Sequence, residues 1–372
     1  MNRECFEREM LYRLREQRRL HPAIEQEDTV KFVFQALLGP GHLLAAREKV
    51  TDFIAHEMDG LPEDPEEPLF ETLSPEWCRL NLRRAKAEGI PPSVIAGLMT
   101  VSQTQRPFTR KDVFDVCSRL AETGEAAIPD PDSLRRIPDE NWLPSHSAAY
   151  RAQEQPAYRV VSTDWIPCRE VLCRMAEIRK RVKRPLVTID GPCASGKTTL
   201  ADRLATAFEA AVIHTDDFVI PHARKTAERL AVPGGNCDAD RLVKEVAAPW
   251  KRGDQVRYRK YDCCLDQLLP EEQLPDRGML ILEGSYSNLP SIRTYADLRL
   301  YTETPEAVRL DRLQKRESPE SMRQFLEKWI PLENAYFTAY GIPDQRCILI
   351  RTMPESGADM KSICRGEKNG VY

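Results

Sequence analysis

Two rhythms of apolar and polar positions run along the chain. In residues 28–38, DTVKFVFQALL, Val30, Phe34, Leu37 and Leu38 recur at helical spacing until Gly39-Pro40-Gly41 stops the run. Residues 43–58 repeat the pattern through Leu43, Leu44, Val50 and Ile54. Residues 92–101 and 109–121 read as further helices, the second with Thr109 as its N-cap. Proline-rich stretches at 61–68 (LPEDPEEP) and 127–144 separate these segments as irregular loops. The pattern predicts a mainly α domain over residues 1–165, with Phe34, Leu37, Val50, Ile54, Val113 and Val116 as core candidates. Residues 166–183 predict a basic amphipathic connecting helix, with Val171, Leu172, Met175 and Ile178 on one face.

From Pro185 the rhythm changes. Five short apolar runs appear at 185–190, 210–215, 279–284, 297–302 and 346–351. Several are continuous rather than alternating, as in strands buried on both faces, and helical segments separate most of them. This predicts an α/β domain over 184–353: a parallel sheet flanked by helices, of the P-loop NTPase type. Residues 354–372 are left as a C-terminal tail.

Composition narrows the class. The 372 residues are 41% hydrophobic and 30% charged, with a net charge of −4, so nothing pulls the chain toward nucleic acid or an anionic membrane. No apolar run approaches the ~18 residues of a spanning helix, and the charged N-terminus has no signal-peptide core. Eleven cysteines are scattered without C-x-x-C spacing, which points away from a disulfide scaffold or zinc site and toward the reducing cytoplasm. The oligomeric state is left open.

Residues 191–198 carry the chemistry. Gly191-Pro192-Cys193-Ala194-Ser195-Gly196-Lys197-Thr198 matches G-x-x-x-x-G-K-[ST] without mismatch, between a strand and a helix with Leu200, Leu204 and Phe208 four apart. Glycines let backbone N–H groups turn inward around phosphate oxygens, and the helix N-terminus adds positive partial charge. Lys197 suits the outer phosphates, the Thr198 hydroxyl suits Mg²⁺, and Thr199 continues the nucleotide-binding run. His214-Thr215-Asp216-Asp217-Phe218 follows the second strand, where a carboxylate can take a proton from an attacking hydroxyl. Glu283 ends the MLIL strand and suits Mg²⁺. Arg309, Arg312 and Arg316 share a helix face, and arginines converging on a transferring phosphoryl group stabilise its charge.

These pieces resemble the uridine kinase-like family of P-loop kinases over about 184–353: IDGPCASGKTTLA, HTDDF, PGGNCDADRL, YRKYDC, LILEGSY, the arginine helix and WIPLENAYF occur in the family's order. The resemblance implies ATP and Mg²⁺ as cofactors and a small-molecule hydroxyl acceptor, a nucleoside first. It implies Asp216 as catalytic base with Asp217 as fallback. It places Asn236, Asp238 and Arg241 at the substrate sugar, and Tyr261 and Asp262 at the nucleobase. It implies Glu283 near Mg²⁺, and Arg312 and Arg316 as lid arginines. Two positions depart from the family: Asp266 stands where uridine–cytidine kinases carry His, and Val219 where an aromatic follows the Asp-x-aromatic unit. Another nucleoside, a sugar or a pantothenate-like alcohol therefore stays open as acceptor. A nucleotide-gated regulatory module acting on the N-terminal domain is the reading from a different class.

The first half carries no motif of known chemistry. QALLGPGHLL and SHSAAYR resemble only an uncharacterised bacterial segment, which implies no activity. His42, His146, Tyr150, Tyr158 and Arg159 are candidates for a second site for an anionic ligand, set against a bland alternative of satisfied core and interface groups.

Overall fold

The computed structural model describes residues 3–40, 46–102, 109–123 and 143–351. Leu43, Leu44, His42, most of the 127–144 loop and the 354–372 tail lie outside them. The chain forms two units, residues 1–166 and 167–372.

In the first unit the helical periodicities hold. Helices run over Arg3–Leu20, Gln26–Leu38, Arg47–Gly60, Pro92–Val101 and Arg110–Glu122, with shorter ones at Leu82–Ala87 and Ala148–Glu154. Thr109 does cap the Arg110 helix, in a reciprocal capping box with Asp112. The unit also holds a three-stranded antiparallel sheet that the periodicity does not announce: β1 (Phe70–Thr72), β2 (Trp77–Asn81) and β3 (Tyr158–Ser162), in the order β1-β2-β3. Three strands of three to five residues give too few alternations to register as a period-2 signal. Met10, Val33, Phe34, Leu73, Trp77, Val113, Val116 and Val160 form the core between helices and sheet.

The second unit opens with the helix Arg169–Arg181. It buries Val171, Leu172, Met175 and Ile178 and belongs to this unit, packing on its sheet. All five predicted strands form: β4 (Leu186–Asp190), β5 (Ala211–His214), β8 (Leu280–Glu283), β9 (Leu298–Glu303) and β10 (Cys347–Arg351). They pair in parallel in the order β10-β9-β4-β8-β5. Every residue of β4 and β8 is buried, which is why these strands read as mostly apolar runs rather than as alternating ones. Leu280 and Leu282 face a cluster with Phe218, Trp250, Tyr286 and Tyr336. An antiparallel hairpin, β6 (Arg257–Asp262) and β7 (Gln267–Gln273), stands outside the sheet. Among the described residues no helix is long and apolar enough to cross a membrane, and the nine cysteines from Cys78 to Cys347 are free.

This strand order places the carboxyl ends of β4, β8 and β5 side by side. The loops that leave them share one rim of the sheet, the position where open α/β sheets hold ligands.

Candidate nucleotide and acceptor site

The loop after β4 turns back on itself at Gly191 (φ +146°), Ala194 (φ +58°) and Gly196 (φ +91°) before the helix Lys197–Phe208 begins. A side chain at Gly191 would place its Cβ 2.4 Å from Thr302 Oγ1, so only glycine lets the loop lie against β9. The loop is braced from several sides. Buried Asp190 accepts the Gly191 N–H at 2.7 Å, the Asn288 N–H at 2.9 Å and the Tyr336 hydroxyl at 2.7 Å. Burial holds the Asp190 carboxyl up at about 6, against the pull of these donors and of Lys197. Ser195 Oγ meets Thr302 Oγ1, and Thr304 Oγ1 donates to the Ser195 carbonyl at 3.1 Å.

Lys197 donates to the Pro192 carbonyl at 3.0 Å, and Thr198 Oγ1 to Glu283 Oε1 at 3.0 Å. Glu283 is buried at the end of β8, beside His214 at the end of β5; His214 Nδ1 lies 2.7 Å from Glu283 Oε2. That carboxylate raises the His214 pKa above its ordinary value. Gly284 follows with φ +131°, and a Cβ there would stand 2.0 Å from Thr215 Oγ1, so β5 and β8 approach closely at this rim. A hydroxyl and a carboxylate within hydrogen-bond reach make an oxygen donor pair suited to a hard cation such as Mg²⁺, which takes few protein ligands and keeps phosphate oxygens and waters. Among the described residues no cluster of three or more His, Cys, Asp or Glu offers a self-contained metal cage.

Asp216 and Asp217 follow β5 in the short helical turn Thr215–Phe218, whose Thr215 and Phe218 are buried anchors. Water reaches Asp216 from the open side while protein atoms crowd it from the others. That crowding raises its pKa; Lys197 opposes the shift, while Glu283 and Glu333 add to it. Burial raises Asp217 as well, with Lys260 and His214 opposing. Lys197, Glu283 and Asp216 are therefore mutual neighbours in one electrostatic setting.

The arginine helix spans Glu306–Arg316. Arg312 Nη1 donates to the Ala194 carbonyl at 3.1 Å and buried Arg309 Nη1 to the Cys193 carbonyl at 3.3 Å, so both hold the phosphate loop. Arg316 instead pairs with its neighbour Glu317 at 2.7 Å, on the surface.

The acceptor candidates divide. Asn236 is buried and its Oδ1 has no hydrogen-bond partner among the described residues. Asp238 caps the turn Ala239–Leu242 and takes the Arg224 guanidinium at 2.8 Å. Arg241 braces the backbone, donating to the Asp217 carbonyl at 3.0 Å and lying 4.5 Å from the Phe218 ring centroid. Tyr261 donates its hydroxyl to Asp266, and burial with that neighbour pushes its pKa up to about 12. Asp262 accepts the Cys264 and Leu265 N–H groups at 2.8 and 3.0 Å. These last two residues shape the β6–β7 turn. Asp266 also accepts the His222 N–H at 3.0 Å, so this carboxylate ties the β6–β7 hairpin to the segment after β5.

Sequence reasoning missed Glu333. Its Oε2 accepts the Cys193 N–H at 2.9 Å and its Oε1 the Ser285 hydroxyl. It sits on the helix Ile330–Tyr340, about 140 positions from the loop it holds, and a lone Glu in WIPLENAYF carries no spacing signal. His214 and Asp190 were likewise visible only as flanks of the quoted motifs.

No protein-family model and no curated protein matches the chain. Among solved structures it is similar to a protein described as a possible uridine kinase from Bacillus stearothermophilus, with 20% identity and a TM-score of 0.37 over 49% of this chain and 99% of that one. A second, described as a fructose transport system kinase from Silicibacter sp. TM1040, shows 22% identity and a TM-score of 0.39 over 50% of this chain and 98% of that one.

Proposed function

We propose that the second unit is an ATP-dependent small-molecule kinase that moves the γ-phosphoryl group to an acceptor hydroxyl, a nucleoside first, with Mg²⁺, in the cytoplasm. One observation carries it: a nucleotide-type loop at the end of β4 stands beside Glu283 at the end of β8 and Asp216 beyond β5, with Lys197 among them. Phosphoryl transfer is mostly positioning and charge neutralisation, and this rim supplies both. Loop N–H groups and Lys197 hold phosphate oxygens. Thr198 and Glu283 are the residues that hold the cation, which neutralises phosphate charge. Asp216 takes the acceptor's proton; its raised pKa brings it closer to the working pH of a general base. Arg309 and Arg312 keep the loop in shape. Asn236, Asp238 and Arg224 offer polar groups to the acceptor; Asp217, Arg241, Tyr261 and Asp262 complete that side.

The test is ATP consumption over a panel of nucleosides, sugars and pantothenate-like alcohols. One acceptor should stimulate turnover, and Lys197→Ala should lower it by at least ~10²-fold. Asp216→Asn should lower turnover while ATP affinity holds. No acceptor-dependent turnover, with ATP still bound and cellular function intact in Asp216→Asn, would favour the nucleotide-gated regulatory module, which needs Lys197 and Thr198 but no base.

A further inference from the structure

In the first unit, His146, Tyr150, Tyr158 and Arg159 turn to protein groups. His146 Nδ1 lies 2.7 Å from Asp28 Oδ1 and its Nε2 2.6 Å from the Tyr158 hydroxyl. Tyr150 stacks on the imidazole at 4.4 Å, and Arg159 pairs with Glu57 at 2.6 Å. In the second unit, one stripe of the helix Ile330–Tyr340 and the residue before it touches both sides of the crevice. Trp329, Glu333, Tyr336 and Tyr340 recur at intervals of four, three and four, so they share a face. The middle pair grips the phosphate loop. Glu333 takes the Cys193 N–H at 2.9 Å, and Tyr336 donates at 2.7 Å to Asp190, which takes the Gly191 N–H. The outer pair grips another segment. Tyr340 donates its hydroxyl to the Pro233 carbonyl at 3.3 Å. Lys225 Nζ lies 5.9 Å from the Trp329 ring centroid, and Lys328 shares that ring at 4.7 Å.

This segment, 221–235, is an excursion pinned at its base. Val219 bridges Cys237 in antiparallel fashion, and the Ile220 N–H donates to the Asn236 carbonyl at 3.0 Å. The base lies two residues beyond Asp217, and Arg224 on the excursion pairs with Asp238 at 2.8 Å, so the excursion walls the acceptor side. Most of it is exposed. Its own turn is tight. A Cβ at Gly235 would meet the Arg229 carbonyl oxygen at 2.0 Å, and Arg229 Nε donates back to the Gly235 carbonyl at 2.9 Å. A tight loop on a narrow base can swing as one body, and the helix stripe holds it at Lys225 and at Pro233. A phosphate in the loop after β4 brings negative charge beside the Glu333 carboxylate. The filled and the empty loop therefore pull differently on the helix.

Resting on the kinase reading, we propose that the Trp329–Glu333–Tyr336–Tyr340 stripe couples nucleotide binding to closure of the 221–235 flap over the acceptor, with Trp329 and Tyr340 as positioning residues. Nucleotide in the phosphate loop shifts the helix, and the helix draws the flap inward. By linkage, the acceptor tightens nucleotide binding by the same factor.

Hydrogen exchange on the full chain reads this coupling before any acceptor is identified. The probe is the non-hydrolysable analogue adenylyl imidodiphosphate with Mg²⁺, and calorimetry reads its binding. In the wild type the analogue should slow exchange across 221–235 by about fivefold or more, the lower end of ordinary coupling energies. Tyr340→Phe removes the hydrogen bond to Pro233, and Trp329→Leu removes the contact with Lys225. Both side chains are half-buried, so the variants keep the fold. Each should bind the analogue within about threefold of wild type, and in the double variant the protection should fall below about twofold. A purely structural role would quicken flap exchange equally with and without the analogue and leave the wild-type ratio, which would overturn the proposal. Analogue binding without flap protection in the wild type overturns it too, while the kinase reading stands. No binding of the analogue removes both.

Discussion

Glu333 gives the sharpest test of the phosphate loop. Its carboxylate satisfies two buried donors, the Cys193 N–H at 2.9 Å and the Ser285 hydroxyl. Replacing it by Ala orphans the Cys193 N–H, at about 1–3 kcal/mol, and leaves a cavity that adds about 1 kcal/mol. The Ser285 hydroxyl escapes, because the Gly191 carbonyl already lies 3.3 Å from its Oγ. Gln behaves differently. Its amide oxygen accepts the Cys193 N–H, and its NH₂ donates to Ser285 Oγ once that hydroxyl turns to Gly191. Glu333→Gln should therefore cost about 1 kcal/mol, the loss of charge assistance, and Glu333→Ala about 2–4 kcal/mol. Urea denaturation of the full chain reads this, using the transition that Trp250→Ala also shifts, since both residues lie in the second unit. Hydrogen exchange at the Cys193 amide should quicken in the Ala variant and stay near wild type in Gln. Equal losses in the two variants, or no loss in Ala, would refute the claim that this hydrogen bond holds the loop.

Three other expectations follow from the same structure. Trp250 is fully buried, donates to the Arg184 carbonyl at 3.1 Å and lies 4.0 Å from the Arg184 guanidinium, so Trp250→Ala should cost about 3–5 kcal/mol in urea denaturation. Asp190 has a folded pKa near 6, above its unfolded value, so the native state binds the extra proton. Its contribution is then most favourable below about pH 4 and declines by about 3 kcal/mol as pH rises through 6. Asp190→Asn should flatten that slope, and parallel stability-versus-pH curves for the two proteins would contradict it. Arg312 reaches the Ala194 carbonyl, whereas Arg316 pairs with Glu317 and lies over the Phe325 ring, so ATP affinity by calorimetry should fall about tenfold in Arg312→Ala and less than about threefold in Arg316→Ala.

The parallel sheet was legible because burial on both faces writes itself into the chain. Ile281 stands between Leu280 and Leu282 as a continuous apolar run, and in β4 only Thr188 interrupts Leu186, Val187 and Ile189; each run became a strand. The phosphate loop was legible because its chemistry is local: Gly191, Gly196, Lys197 and Thr198 lie within eight residues. Thr109 was legible for the same reason, since a cap bonds to its own first turn. Contacts between distant segments left no such trace. Strand β2 pairs with the distant β3, from Trp77 opposite Ser162 to Asn81 opposite Tyr158, and the three to five residues of β1–β3 are too short to set a period. Arg316 looks like Arg309 and Arg312 by spacing, yet it lies at the helix end beside Glu317, and that neighbour takes it. Glu333 and the Asp28–His146–Tyr158 chain join positions more than a hundred residues apart, and only the folded backbone brings them within hydrogen-bond reach. A residue type announces its chemistry in sequence when its partners are its neighbours. Where the partner arrives by folding, burial and distance decide the role.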